Sequence, residues 1–138
     1  MYDNRNKQYQ LTFESRDEYL YALIEADVMT TSIAANYLIE IYSQSERLKM
    51  RRIMIERKVP DVLPIAEIFR LVTDFTPEMR KTRVVFVEHD TIQNKELQFA
   101  SLVGNNRGAM LAVHATVESG ERWLRAVKVN FFADAEEC

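Results

Sequence analysis

His89 and Asp90 are the pairing in this chain that most directly suggests proton transfer, an imidazole beside a carboxylate at the end of the run Arg83-Val84-Val85-Phe86-Val87-Glu88. Neighbours on a strand point to opposite faces, so the two need not touch, and Asp90 or Thr91 suits the cap of a following helix. A second group, Glu56, Arg57 and Lys58, closes the short apolar run Ile53-Met54-Ile55 and precedes Asp61 in a proline-bounded turn. Glu56 is an alternative partner for His89, and a hydrolase or lyase would use His89 with one of the two carboxylates. Asp61, near the start of the next helix, could imitate a fixed phosphate at the positive end of the helix dipole, or simply hold the turn.

A third group is Asn105-Asn106-Arg107-Gly108. Arg107 offers a planar fork to a carboxylate or phosphate, but the segment has neither the phosphate-binding loop nor the dinucleotide turn, and it is most simply a helix stop. His114 stands isolated in a strand and reads as a core or rim histidine. Cys138 is the single cysteine, which leaves no intrachain disulfide and no zinc spacing. There is no nucleophile-elbow serine. The chemistry-bearing residues therefore amount to a binding surface, Glu56, Arg57, Lys58, Asp61, His89, Asp90, Asn106 and Arg107, with no catalytic residue, metal or cofactor expected.

The elements that must position them follow from hydrophobic periodicity. Tyr9, Leu11 and Phe13 alternate with polar residues, as in a half-buried strand, and Ser15-Arg16-Asp17 is the expected turn. Residues 18–26 are apolar or aromatic at nearly every position, so a second strand, covered on both faces, completes an antiparallel hairpin. Thr30 or Thr31 caps a helix of about 17 residues whose apolar stripe runs through Ala34, Tyr37, Leu38, Ile41, Tyr42 and Leu48. Residues 51–75 form the joint of the chain: a buried strand, a turn at Val59-Pro60-Asp61, and a helix opened by Pro64 with Ile65, Ile68, Phe69, Val72 and Phe75 on one face. Thr76-Pro77-Glu78 is expected to restart a short turn or cap a loop.

Residues 83–88 make the central strand, β-branched and apolar on both faces. A helix follows from Thr91 to Arg107, burying Leu97, Ala100 and Val103, with Gly104 or Gly108 as the left-handed stop. Met110–His114 is another parallel strand, Thr116 caps a last helix through Trp123 and Leu124, and residues 131–138 form an exposed tail. The order ββαβαβαβα predicts an α/β domain over residues 1–138: a single mixed β-sheet, with an N-terminal antiparallel hairpin, parallel β-α-β units and about four helices, and flexible ends at 1–8 and 131–138.

Composition narrows the classes. The 138 residues suit one core, and 47% hydrophobic against 28% charged residues, with 3 Gly and 3 Pro, are globular values. A formal net charge of -3 argues against a nucleic-acid binder. Residues 46–83 carry 10 Lys or Arg against 6 Asp or Glu, a mild surplus best read as solvated surface. No apolar run approaches the roughly 20 residues of a membrane span, and the polar start, MYDNRNKQYQ, has no signal-like apolar segment, so a soluble cytoplasmic protein is expected.

The element order, with the joint VPDVLPIAEIFRLVTDF, the segment RVVFVEHD and the stretch NNRGAMLAVHATVESGERWL, resembles STAS-like domains. More narrowly it is similar to small stand-alone bacterial proteins resembling anti-sigma-factor antagonists. The resemblance covers residues 9–124 and implies a mixed sheet with helices and a regulatory or protein-interaction role, with nucleotides or lipids as ligands in some members. Members controlled by phosphorylation carry a serine at the start of the joint's helix, whereas Val59–Pro64 holds no Ser or Thr, so a constant surface is expected in place of that switch. The expected function is a non-enzymatic regulatory or protein-interaction domain. It would self-associate as a dimer, because residues 84–87 present apolar side chains to both sheet faces. The alternative is a binder of a small apolar, acyl, nucleotide or lipid ligand at the strand ends near Glu56 and His89.

Overall fold

A computed structural model describes residues 8–126; the segments 1–7 and 127–138, including Cys138 and the expected exposed tail, lie outside it. The elements are β1 Tyr9–Arg16, β2 Tyr19–Ala26, α1 Thr31–Leu48, β3 Arg52–Lys58, α2 Ile65–Arg80, β4 Arg83–Glu88, α3 Thr91–Asn105, β5 Met110–His114 and α4 Val117–Arg125. They build the expected α/β fold, one mixed sheet of five strands with four helices. The strands lie in sequence order, β1-β2-β3-β4-β5, with β1 antiparallel to β2 and the remaining pairs parallel. No described helix is long and apolar enough to cross a membrane.

Alternation along the strands creates two unequal cores. One sheet face carries Ala22, Ile24, Ile53, Ile55, Val84 and Leu111 and packs against Ile33, Leu38, Ile41, Ile68, Val72 and Phe75 of α1 and α2, with Ala100 and Val103 of α3 at its margin. Each fully buried Ile or Val here stabilises the fold by roughly 1.5–3 kcal/mol. The opposite face carries Tyr19, Tyr21, Met54, Val85 and Val87 and is covered by α4 through Leu124. Gly120 permits that contact: a Cβ at this position would lie 3.1 Å from Val87 Cγ2 and 3.4 Å from Met54 Cε. The helix is further fastened by the Tyr19 hydroxyl donating to Glu121 at 2.7 Å, by Arg83, which stacks on the Trp123 ring and donates to the Trp123 carbonyl, and by Arg125, which donates to the Asp17 carbonyl in the hairpin turn.

Several local expectations change. The hairpin turn is Asp17-Glu18, with Glu18 in the left-handed region at φ 70°, because Arg16 stays in the strand with its guanidinium over the Tyr21 ring. Glu56, Arg57 and Lys58 lie within β3 and not beyond it. Pro77 neither stops nor restarts α2. The helix runs through it because Phe75 and Met79 on either side are buried in the core, and that packing outweighs the one backbone hydrogen bond the proline cannot make. In α3, Leu97, Ala100 and Val103 are half-buried, while the buried positions are Gln93 and Gly104. The left-handed glycine after this helix is Gly108, at φ 92°. The apolar residues of β4 do not leave a bare face for a second copy, since Val85 and Val87 are fully buried beneath α4.

Candidate functional site at the carboxyl ends of the central strands

Parallel strands β2, β3 and β4 end side by side, so that Leu23 pairs with Glu56, and Glu56 with Val87. Period-two alternation then sends Glu56 toward the α4 face and its neighbour Arg57 toward the α1–α3 face. The tip of β3 therefore carries two separate polar assemblies, one on each side of the sheet.

On the α4 face, Glu56 is the centre. Its Oε1 accepts from the Tyr21 hydroxyl at 2.5 Å, and its Oε2 meets His89 Nε2 at 2.7 Å. The Glu56 side chain is 12% exposed and that of His89 50%, so the imidazole forms the wet end of the assembly. Burial alone would raise the Glu56 pKa, but the hydrogen bonds from Tyr21 and His89 and the nearby positive charge outweigh it and hold the carboxyl below its ordinary value. Burial, followed by the bond to Glu56, pushes the Tyr21 phenol well above its usual range, which keeps it a donor. His114 lies in the same transverse row, opposite Val87 on β5, and faces Trp123 with ring centroids 6.5 Å apart. Burial and then Arg122 lower its pKa, so it is favoured neutral. It is a rim histidine, as expected.

On the other face Arg57 is buried and not part of an exposed surface. It forms an ion pair with Glu88, and the two side chains are 3% and 4% exposed. Arg57 Nη1 also donates to Gln93 Oε1 at 3.2 Å, and Nη2 donates to the Asp61 carbonyl at 3.0 Å. Gln93 Nε2 in turn reaches the Val59 carbonyl at 3.2 Å. This network ties β3, β4, the 59–61 turn and the start of α3 together. Arg57 Nε meets no acceptor among the described residues.

The remaining expected site residues divide accordingly. Asp90 does not pair with His89; its side chain caps α3 by accepting from Gln93 N at 2.9 Å, while its own N–H bonds Glu88. Asp61 is exposed and does not cap α2, whose first residue follows Pro64 with no side-chain cap; only its carbonyl is engaged, by Arg57. Lys58 is exposed at the strand end. Asn106 and Arg107 belong to another place, after the last turn of α3 and before β5 begins, at the amino end of the sheet. There Arg107 donates to Thr73 at 2.7 Å and lies 5.8 Å from the Phe69 ring centroid.

Tyr21, Glu88 and Gln93 were not apparent as site residues in the sequence. Glu88 carried the clearest signal, an acid ending a strand buried on both faces. Tyr21 was hidden in an aromatic run that looks like plain core.

A further surface lies on the outer side of α2 and α3. Ile65, Phe69, Phe99 and Leu102 are 58%, 37%, 43% and 57% exposed. Phe69 and Phe99 meet edge to face with centroids 6.2 Å apart, which joins the two helices into one apolar strip. The described residues hold no group of three or more His, Cys, Asp or Glu arranged for a metal ion. No family model matches the chain, and no curated protein matches it significantly.

Proposed function

We propose that this chain is a regulatory or protein-interaction domain of STAS-like type, without catalysis of its own, whose partner binds on α2 and α3. The observation that supports this reading is the strip of Ile65, Phe69, Phe99 and Leu102, four large apolar side chains left exposed on two neighbouring helices that the Phe69–Phe99 contact joins. Contiguous apolar patches of this kind are characteristic of interaction surfaces. The strip adjoins the joint at Val62, Leu63 and Pro64, the turn in which phosphorylation-controlled members of the resembled family carry the serine that changes partner affinity. The turn before α2 has no hydroxyl, and the first turn of the helix already holds Glu67, bonded by the Thr31 hydroxyl at 3.1 Å. The surface is thus constant in charge and not one awaiting phosphate.

The test compares the native protein with Phe69→Glu and Leu102→Glu as baits in quantitative affinity capture from the source cell, with light scattering over a concentration series to register self-association. Leu102 is the more exposed of the two and its variant should melt nearly as the native chain does, while Phe69→Glu also loses the Phe99 contact, so far-ultraviolet circular dichroism is used to confirm that each variant is folded. The reading predicts that at least one captured partner, or the self-associated form, is lost in both variants. An identical captured set together with a monomer at every concentration would overturn it.

A further inference from the structure

The contact between Glu56 and His89 leaves one ring nitrogen uncommitted. Glu56 Oε2 lies 2.7 Å from His89 Nε2. Because its pKa is held below the ordinary value, Glu56 is a carboxylate at neutral pH, a group that accepts hydrogen bonds and donates none. Nε2 therefore carries the hydrogen of this bond, and in the neutral imidazole the lone pair then belongs to Nδ1. Tyr21, donating to the other oxygen, fixes the carboxylate in turn. Among the described residues Nδ1 meets no hydrogen-bond partner, and the side chain is half exposed.

A carboxylate-oriented imidazole with a free lone pair can serve as a metal ligand, a general base or a nucleophile. A metal needs further ligands, and the described residues hold no group of three or more His, Cys, Asp or Glu placed for one. A general base serves a substrate enclosed beside it, whereas this ring is half in water and open to a group carried in by another molecule. We infer that His89 Nδ1 is a phosphoryl-acceptor site, modified by a donor with an acyl phosphate or phosphoramidate bond. The Nδ1 lone pair forms the new N–P bond as the donor's own P–O or P–N bond breaks, and the leaving carboxylate or ammonia takes that bonding pair. The Nε2 proton stays between the ring and Glu56, so the ring becomes an imidazolium whose charge Glu56 compensates. Two features suit the incoming phosphate. Lys58, exposed on the same side of β3 two residues beyond Glu56, is near enough to help lower the Glu56 pKa. Thr91 opens α3 two residues after His89, and the first N–H groups of a helix lack partners within it, at the positive end of its dipole. Asp90, the like charge next in sequence, is engaged by the Gln93 N–H. The site is on the α4 side of the sheet, and the inference does not depend on the interaction reading.

The experiment incubates the full chain with potassium phosphoramidate or acetyl phosphate at neutral pH. Intact and tandem mass spectrometry under alkaline handling read the gain and its position, and phosphorus NMR separates the Nδ1 from the Nε2 isomer. The native chain should gain one phosphoryl group, at His89 Nδ1, about tenfold faster than the chain unfolded in guanidinium chloride, where Glu56 no longer orients the ring. Glu56→Gln should slow the reaction by a similar factor, and His89→Asn should abolish it. Failure of both donors, a first gain at His114 or at Nε2, or equal rates for the folded, unfolded and Glu56→Gln chains would overturn the inference. Should Glu56→Gln fail to fold, the isomer formed and the ratio of folded to unfolded rates on the native chain decide.

Discussion

Glu56 and Arg57 are adjacent in sequence, yet they serve two polar pairs of opposite character. Glu56 meets His89 on the α4 face, where the imidazole is half in water, and Arg57 meets Glu88 on the other face, where both partners are almost wholly dry. Each pair joins the ends of β3 and β4, and each is a single acid with a single base. Their difference comes from the pleat alone: one residue of displacement exchanges a solvated environment for a buried one. The dry pair acts as a strut between strands, whereas the wet pair keeps its imidazole in contact with solvent. Residue type gave both groups the same standing as candidates; environment separates them.

The largest expected effect lies on the dry side. Arg57→Ala or Glu88→Ala leaves a buried charge without its partner and should cost about 3–5 kcal/mol in urea unfolding. The double substitution Arg57→Met with Glu88→Leu should recover most of that loss, because neither charge is then stranded. If the singles cost less than about 1 kcal/mol, the pair is not the strut described. On the wet side, Glu56→Gln and Tyr21→Phe each remove a bond from a partly exposed assembly and should cost no more than about 1 kcal/mol at neutral pH, in the range of an ordinary hydrogen bond.

Acid should distinguish the two sides further. The Glu56 pKa is lower in the folded chain than its ordinary value of 4.5, so the folded state binds this proton less readily than the unfolded one. Its contribution is fully present above pH 4.5 and is lost as pH falls through the depressed folded value. Glu56→Gln should flatten that limb of the stability profile; a variant with the same acid limb as the native protein would contradict the assignment. A smaller effect belongs to His114, whose folded pKa lies below 6.5. Its neutral form stabilises the fold fully above pH 6.5, and the contribution declines as pH drops below that value toward the folded one. His114→Phe should therefore remove a shallow decline between neutrality and mildly acidic pH, measurable by thermal melts.

Local features were legible in the sequence because their causes are local. Thr30, Asp90 and Thr116 cap their helices as their types and places suggested, with the side-chain oxygen accepting from the third residue onward in each case. The order of strands and helices was legible for the same reason, since periodicity switches from two to about three and a half at each boundary. Register was not. Arg57 opposite Glu88 is a matter of how two strands 31 residues apart slide against each other, and nothing within either strand states it. Pro77 was misleading because its neighbours' burial, a tertiary fact, overrides its local preference. The position of α4 was equally hidden: its apolar Leu124 and small Gly120 show that it packs, but not on which face.

The strand order carries a consequence for how the chain reaches this state. Each strand hydrogen-bonds to the one that precedes it, so the three parallel pairings close loops of similar length, with Leu20 and Ile53, Ile53 and Val84, and Val84 and Leu111 separated by 33, 31 and 27 residues. No pairing waits for a distant segment to arrive. Closure entropy grows only slowly with length and is met here in equal instalments, which favours assembly by accretion from the hairpin outward over a single late collapse. The last helix is the exception: α4 reaches back to Met54 and Val85, so it can dock only when β3 and β4 are already side by side, and its docking completes the second core.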